Sequence, residues 1–463
     1  MEGDTSLLVP YEGPRFPRFY FAAIASCLAS LSCGFVLGYS STALVGLRTE
    51  GSQLILNTTS LQSWFASLMA LGALAGGLAG GQLVGKLGRK GTLMFISIPF
   101  ILGWLIIAYA QSVGVLFTGR ALTGFCLGVV SIASPLYISE TAPASQRGLL
   151  GSGFQLFLTI GILISYILGK YVFWTWLAIY SCLPVLAFLA VVGALHETPT
   201  WLALRNRNED AVRAFVFFRQ MPPENAPIIV RDNDGFCGQT LRSFKKRDVL
   251  LPSILCLMLF FFQEFSGSNA ILLYTVDIFH AAGSAIDGHT ATIIVGLIQV
   301  VATFLACIFT DRLGRRILLM ISGGAMSISM ALLAVHHHFS VVEGQSFVNK
   351  FGWLPLVSIC TFISAYSMGF GPLPWLVTSE ILPPQVRGIS SGFAQSVNWG
   401  SCFIVTEQYQ HFVDMFGESV TYSIFAVICA LGVITVALFL PETKGKTLEE
   451  IQGIFKTRES AQV

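Results

Sequence analysis

Charged residues are scarce in this chain: Lys, Arg, Asp and Glu make up 11% of its 463 residues, whereas a soluble protein carries about 25%. This composition excludes an ordinary soluble protein. The sequence also offers no glycine-rich phosphate loop, no nucleophile beside a partner base and no carboxylate pair in a soluble segment, so no pattern in it favours an enzyme. A formal net charge of only +2 gives no reason to expect a nucleic-acid partner.

Cysteine spacings typical of disulfide frameworks or metal sites are missing as well. All ten cysteines except Cys237 lie inside apolar runs, and we expect them to pack as small apolar side chains. Three adjacent histidines, His336, His337 and His338, do not share one face of a helix. We therefore predict no metal site and no cofactor.

Long apolar runs take the place of charge, with 54% of the residues in the apolar set. Twelve runs are long enough to cross a bilayer as a helix, which takes about 20 residues. Two consecutive runs, 91–119 and 121–139, are separated only by Arg120. The predicted fold class is an all-α membrane protein with twelve transmembrane helices embedded in the lipid bilayer.

Most basic residues fall on one side of the predicted spans, the side that also carries both termini. Because Lys and Arg favour the cytoplasmic side, we predict a multi-pass protein with both termini in the cytoplasm. Arg48, Arg120, Lys170 and Lys350 fall on the other side. The acceptor sequon at Asn57 lies in the first outer loop and predicts glycosylation there. The plasma membrane is the expected location.

One long polar stretch separates the first six spans from the last six. It divides the chain into an amino-terminal six-helix bundle (1–195), a cytoplasmic linker with short amphipathic helices (196–248), and a carboxy-terminal six-helix bundle with a short cytoplasmic tail (249–463). Prolines at 222, 223 and 227 interrupt the helical pattern of the linker, so its helices are expected to be short.

Charged signals recur in the same order in both halves, which indicates an internal duplication. The segments 88–90 (GRK) and 314–316 (GRR) correspond, and each is followed by a Glu and an Arg seven residues apart and then by a Glu-Thr pair. Two bundles related by duplication are the architecture of secondary transporters. We expect these acids and bases to hold the halves together while the cytoplasmic side is closed. The alternative is that they only fix topology.

Polar side chains inside apolar spans are unfavourable unless they face protein or water, so they are candidates for a binding site. Amides donate and accept hydrogen bonds at once, which suits a neutral polyol, and aromatic faces suit the apolar face of a sugar ring. For any single residue, an interhelical hydrogen bond or packing is the alternative. The candidate substrate-binding residues are Gln155, Gln263, Glu264, Asn269, Gln299, Trp375 and Asn398.

The tenth span contains two prolines next to Trp375. Pro372 and Pro374 interrupt a regular helix because proline lacks a backbone N–H group. Irregular backbone at membrane depth is found where it is buried in protein or lines a cavity. We therefore predict that this span is a moving gate.

The chain resembles the sugar porters of the major facilitator superfamily, in the animal glucose transporter branch and especially its facilitated trehalose transporter relatives. The motifs are GRALTG (119–124), PLYISETAPASQRG (135–148), QEFSGSNA (263–270), DRLGRR (311–316), GPLPW (371–375) and PETKGKTLEEI (441–451). The resemblance implies sugar contacts at Gln155, Gln263, Asn269, Trp375 and Asn398, and a gate at Tyr274. It also implies an inner charge network of Arg89, Glu140, Arg147, Glu197, Arg315, Glu380, Arg387 and Glu442.

Several positions depart from the family pattern. Glu264 stands where the family has a second glutamine, Gln299 where it has an asparagine, and Ser367 where hexose carriers have a glutamate. Proton-driven relatives carry an aspartate at the position of Ser40. We expect facilitated transport of a neutral sugar, glucose or trehalose, by alternating access. Proton-coupled symport through Glu264 and a sugar-sensing receptor that does not transport are the alternatives.

Overall fold

The computed structural model describes residues 18–48, 56, 58–143, 146–219, 247–272, 288–383, 386–446 and 448–455. These residues form helices and no strand. The helices of the first half are α1 Arg18–Arg48, α2 Thr59–Leu87, α3 Arg89–Ala108, α4 Val113–Thr141, α5 Arg147–Tyr171, α6 Trp174–Tyr180 and α7 Cys182–Val192. The last two are pieces of one span, Trp174–Val192.

Two short helices follow in the polar stretch, α8 Pro199–Leu204 and α9 Asn208–Arg219. The second half contains α10 Arg247–Phe265, α11 Gly288–Leu313, α12 Arg315–Glu343, α13 Gln345–Phe351, α14 Leu354–Met368, α15 Leu373–Ile381, α16 Arg387–Phe416, α17 Glu418–Phe439 and α18 Leu448–Phe455. Here α14 and α15 are pieces of one span, Leu354–Ile381. We call the membrane face that carries Arg89 and Arg315 the basic face, and the other the opposite face.

Eleven helical segments among the described residues are long and apolar enough to cross a membrane. A further long helix, α16, has 30 residues but a lower hydropathy, because Gln395, Asn398, Glu407 and Asp414 lie along it. It packs against α2, α4 and α10. With α16 included, each half has six helical spans, and the predicted all-α membrane fold is confirmed.

The position of Arg120 differs from the expectation that it lies in an outer loop. It is inside α4 with no exposed surface, donates to the Val36 carbonyl at 3.2 Å and to the Ser40 hydroxyl, and lies over two aromatic rings of α1 and α2. Because its donors have acceptors, the charge can be buried. The third span therefore ends at Ala108, well before residue 119.

The largest contacts between the two halves are those of α2 with α16 and of α5 with α11. Glycines bring the backbones of α2 and α16 together near the basic face. A Cβ added to Gly81 would lie 2.6 Å from the carbonyl oxygen of Gly388, and one added to Gly392 would lie 2.8 Å from that of Gly77. Only glycine permits this approach, because any side chain there would overlap the backbone of the other half.

Candidate functional site

Two spans of the second half are interrupted where they contact each other. The span Arg247–Leu272, which begins with α10, is interrupted at Gly267, which has a φ of +81°. In the other span, α14 and α15 are separated by residues 369–372. Pro372 caps the N-terminus of α15 and Pro374 follows in its first turn. Interrupted helices leave backbone carbonyls without helical partners, so neighbouring side chains must bind them.

Gln263 joins the two interruptions. Its Nε2 donates to the backbone oxygens of Phe370 at 2.8 Å and Gly371 at 3.1 Å, and to the Tyr366 hydroxyl at 3.3 Å. Its Oε1 accepts a hydrogen bond from Asn398 Nδ2 at 3.1 Å. Gln263, a predicted sugar-binding residue, therefore donates hydrogen bonds to the carbonyls that have no helical partner at the interruption of the tenth span.

Glu264 lies in the same cluster and is 3% exposed. Its Oε1 accepts from Asn398 Nδ2 at 2.9 Å, and its Oε2 accepts from Asn269 Nδ2 at 2.5 Å. Asn269 Nδ2 also lies 3.4 Å from the sulfur of Cys402. The structure thus brings Gln263, Glu264, Asn269 and Asn398 into one hydrogen-bonded group that connects α10 to α16.

Trp375 lies at the boundary between the halves. Its ring centroid is 5.4 Å from that of Phe154 in the first half, 5.5 Å from Phe260 and 6.3 Å from Trp399. Gln155 follows Phe154 on α5 and is buried. The centre of the molecule therefore has an aromatic wall formed by both halves, and such faces pack well against apolar surface.

Gln299 is buried on α11. At this level α11 packs closely against α5 of the first half: a Cβ added to Gly296, three residues before Gln299, would lie 3.2 Å from the side chain of Leu163. Within the described part of the chain, Gln299 Oε1 and Asn398 Oδ1 accept no hydrogen bond, so both are available to the hydroxyls of a ligand. Tyr274, the predicted gate residue, lies outside the described residues.

The charged network at the basic face contains the same Arg–Glu pair once in each half. Arg89 Nη2 lies 2.6 Å from Glu140 Oε1 in the first half, and Arg315 Nη2 lies 3.0 Å from Glu380 Oε1 in the second. All four side chains are buried. The duplication inferred from the sequence is therefore repeated in the geometry of both halves.

In each half, a second glutamate accepts hydrogen bonds from the backbone at the N-terminus of a helix. Glu197 accepts from the first two backbone N–H groups of α3, at 3.0 and 2.9 Å, and Glu442 from those of α12, at 3.0 and 3.1 Å. Gly88 and Gly314 precede these helices with φ of +85° and +90°, and a Cβ on either would overlap the carboxylate. Burial raises the pKa of Glu197, against the opposing effects of these N–H groups and of Arg89.

Among the described side chains, one ion pair connects the halves at the basic face. Arg387 Nη1 of α16 lies 3.4 Å from Glu140 Oε1 of α4, and both side chains are fully buried. Arg147 begins α5, but its side chain lies outside the described part. Asn57 is also outside it.

The opposite face has contacts between the halves that the sequence did not predict. The Ser63 hydroxyl of α2 donates to Glu407 Oε2 of α16 at 2.7 Å, and Lys170 of α5 donates to the Thr290 hydroxyl of α11 at 3.0 Å. The available signal was an acidic residue, Glu407, inside an apolar run. The halves are thus in contact at both faces.

Comparison with known proteins decides the family. The sequence profile of the family described as Sugar (and other) transporter matches residues 20–455. The chain belongs to this family. It is a sugar porter of the major facilitator superfamily.

Insect relatives of this sugar porter match most of its length. It is 39% identical over 438 residues to the facilitated trehalose transporter Tret1 of Polypedilum vanderplanki, covering 93% of this chain and 86% of that protein. Tret1 of Culex quinquefasciatus is 38% identical over 464 residues, with 98% and 89% covered. For Tret1 of Drosophila mojavensis, at 39% identity, the chain spans only 50% of the relative's length.

Solved structures of bacterial sugar porters share the fold. The proton:xylose symporter XylE bound to 6-bromo-6-deoxy-D-glucose is 25% identical and has a TM-score of 0.81, covering 95% of this chain and 99% of that one. The inward-open conformation of XylE from E. coli has a TM-score of 0.67 at 24% identity, covering 95% and 100%.

Proposed function

We propose that this sugar porter carries a neutral sugar, trehalose or glucose, across the plasma membrane by facilitated diffusion. The main support is the hydrogen-bonded group of Gln263, Glu264, Asn269 and Asn398 at two interrupted spans, with Trp375 at the boundary between the halves. Amides and carboxylates bind adjacent hydroxyls, and discontinuous helices are typical of transporter binding sites. The relatives named as facilitated trehalose transporters support trehalose as the first substrate to test.

The proposed mechanism is alternating access. The bundles of residues 1–195 and 249–463, joined by the linker 196–248, rock about the central site and expose it to each side in turn. The Glu140–Arg387 pair must separate when the basic face opens, and the Ser63–Glu407 hydrogen bond must break when the opposite face opens. The sugar shifts this equilibrium only by its differential affinity for the two states.

We assign the basic face to the cytoplasm, because Lys and Arg favour that side. Both termini then lie in the cytoplasm and Asn57 lies outside, where it can be glycosylated. The gates in this proposal are Tyr274 and the interrupted segment at Pro372 and Pro374.

Transport without a proton gradient is favoured by the environment of Arg120. Its hydrogen-bond partners on α1 are the Val36 carbonyl and the Ser40 hydroxyl, and neither group titrates near neutral pH. The rival reading is proton coupling through Glu264, a buried carboxylate in the centre of the protein.

The test is uptake of labelled trehalose, glucose and fructose into liposomes that contain the purified protein, with and without a proton gradient. The proposal expects saturable uptake that the gradient does not change, and loss of uptake in Trp375→Ala. Accumulation driven by the gradient and abolished by Glu264→Gln would establish symport instead. Sugar binding without flux would favour a sensor.

A further inference from the structure

Glu264 places a carboxyl group in spans that supply no positive charge. The sequence has no Lys or Arg in the ranges 249–311, 317–349, 351–386 and 388–443, which contain the spans of the second half apart from their ends. An ionised carboxylate buried without a cation is unfavourable. The site is therefore complementary to a ligand that carries a positive charge.

The acceptor atoms next to Glu264 fit one kind of cation. Its two oxygens accept hydrogen bonds from Asn269, Asn398 and the Cys402 thiol, while a carboxylate has about four acceptor positions. Asn398 directs its amide nitrogen to Gln263 and Glu264, so its Oδ1, without a partner among the described residues, is a further acceptor. An ammonium group offers three donors and no acceptor, which matches these neighbours better than a hydroxyl with one donor.

We propose that Glu264 extends the substrates of this sugar porter to amino sugars, hexoses in which a protonated amine replaces one hydroxyl. This inference rests on the proposed function, because it places the amine within the proposed sugar site. The ammonium donates to the Glu264 carboxylate and to Asn398 Oδ1. The remaining hydroxyls bind the amides, and the ring packs against Trp375.

Substitution of Glu264 by glutamine isolates the charge. Glutamine has nearly the same shape, but it offers one acceptor and one donor group and carries no charge. Glu407→Gln is the matched control, because it removes another carboxylate from the second half at the contact with Ser63 on the opposite face. Glu407→Gln alters a contact between the halves but leaves the hydrogen-bonded group around Glu264 unchanged.

The experiment is ligand binding by the purified full-length protein at pH 7, followed by tryptophan fluorescence. The probes are glucose, 2-amino-2-deoxyglucose, 3-amino-3-deoxyglucose, 6-amino-6-deoxyglucose, uncharged N-acetylglucosamine and trehalose. We expect at least one aminoglucose to bind the wild type about tenfold more tightly than glucose, since a hydrogen bond between charged groups is stronger than a neutral one. Glu264→Gln should bind the aminoglucose and glucose with similar affinity, and Glu407→Gln should retain the tenfold preference.

Each other outcome overturns the inference. Equal affinities for glucose and every aminoglucose, or a ratio that persists in Glu264→Gln, would contradict it and leave the proposed function in place. Failure to bind any sugar, trehalose included, would contradict both. Sugar-evoked proton uptake into liposomes that requires Glu264, without preference for an amine, would assign the carboxylate to a proton.

Discussion

Glu140 of α4 and Arg387 of α16 form an ion pair between the two halves at the basic face, with 3.4 Å between Oε1 and Nη1. The same oxygen accepts a hydrogen bond from Arg89 within the first half. One carboxylate thus stabilises its own half and binds the other. Because the group is buried, loss of the Arg387 contact costs about 1.5–3 kcal/mol, the contribution of a hydrogen bond to a charged group, while Arg89 continues to balance the charge of Glu140.

Replacing Arg387 by glutamine should therefore favour the state that is open at the basic face. We expect the equilibrium to shift by about tenfold or more and the transport rate to fall. The measurement is the rate of alkylation of a Ser391→Cys variant, since Ser391 is buried one turn further along α16. Arg207→Gln is the control: its pair with Asp210 is exposed and worth at most about 1 kcal/mol. Unchanged alkylation in the Arg387 variant would contradict the prediction.

Gly81→Ala should prevent full closure of the basic face, because its methyl group would overlap the Gly388 carbonyl of the other half. We expect sugar uptake to fall at least tenfold while the protein remains folded, as judged by size-exclusion chromatography. Gly324→Ala on α12 is the matched control, since a Cβ there meets nothing within 4 Å. It should keep normal uptake, and alanine in a helix should stabilise it by about 0.5–1 kcal/mol. Normal uptake by Gly81→Ala would show that the backbones need not approach so closely.

Gln263→Leu should destabilise the protein as well as impair sugar binding. Leucine leaves the carbonyls of Phe370 and Gly371 without their donor, and each buried unsatisfied group costs about 1–3 kcal/mol. Thermal unfolding in detergent should show a lower midpoint for Gln263→Leu than for Gln299→Leu, whose Oε1 has no partner in the described chain. Equal midpoints would mean that Gln263 does not support the interrupted span.

Ser63→Ala removes the hydroxyl that binds Glu407 across the opposite face. A hydrogen bond to a charged group contributes about 1.5–3 kcal/mol when buried and less at this half-exposed position, so we expect a several-fold shift towards the state open at that face. External alkylation of a Ser67→Cys variant, one turn deeper in α2, should become faster. Ser423→Ala should have no effect, since that hydroxyl binds a carbonyl of its own helix. Slower alkylation in the Ser63 variant would contradict the assignment.

The sequence was sufficient for features that repeat or extend over many residues. Twelve apolar runs and the duplicated acid and base signals predicted the fold, and the geometry of Arg89 with Glu140 follows the same pattern as that of Arg315 with Glu380. These features depend on spacing along the chain, which a sequence displays directly.

Contacts between distant segments could not be predicted in this way. Arg120 was expected in a loop because a charge ends an apolar run, but its acceptors are 84 and 80 residues away in α1. Likewise, Ser63 and Glu407 are 344 residues apart. Hydropathy measures the cost of burying a polar group, whereas the partner that offsets this cost is set by how helices pack.

The most direct test of a sugar carrier with one alternating site is trans-stimulation. Liposomes with the purified protein are preloaded with unlabelled trehalose, and the entry of labelled trehalose is compared with that into empty liposomes at equal pH on both sides. We expect faster entry into preloaded liposomes, because the loaded carrier returns with sugar bound, and no stimulation in Trp375→Ala. Entry that is independent of internal sugar, or absent in both cases, would contradict it.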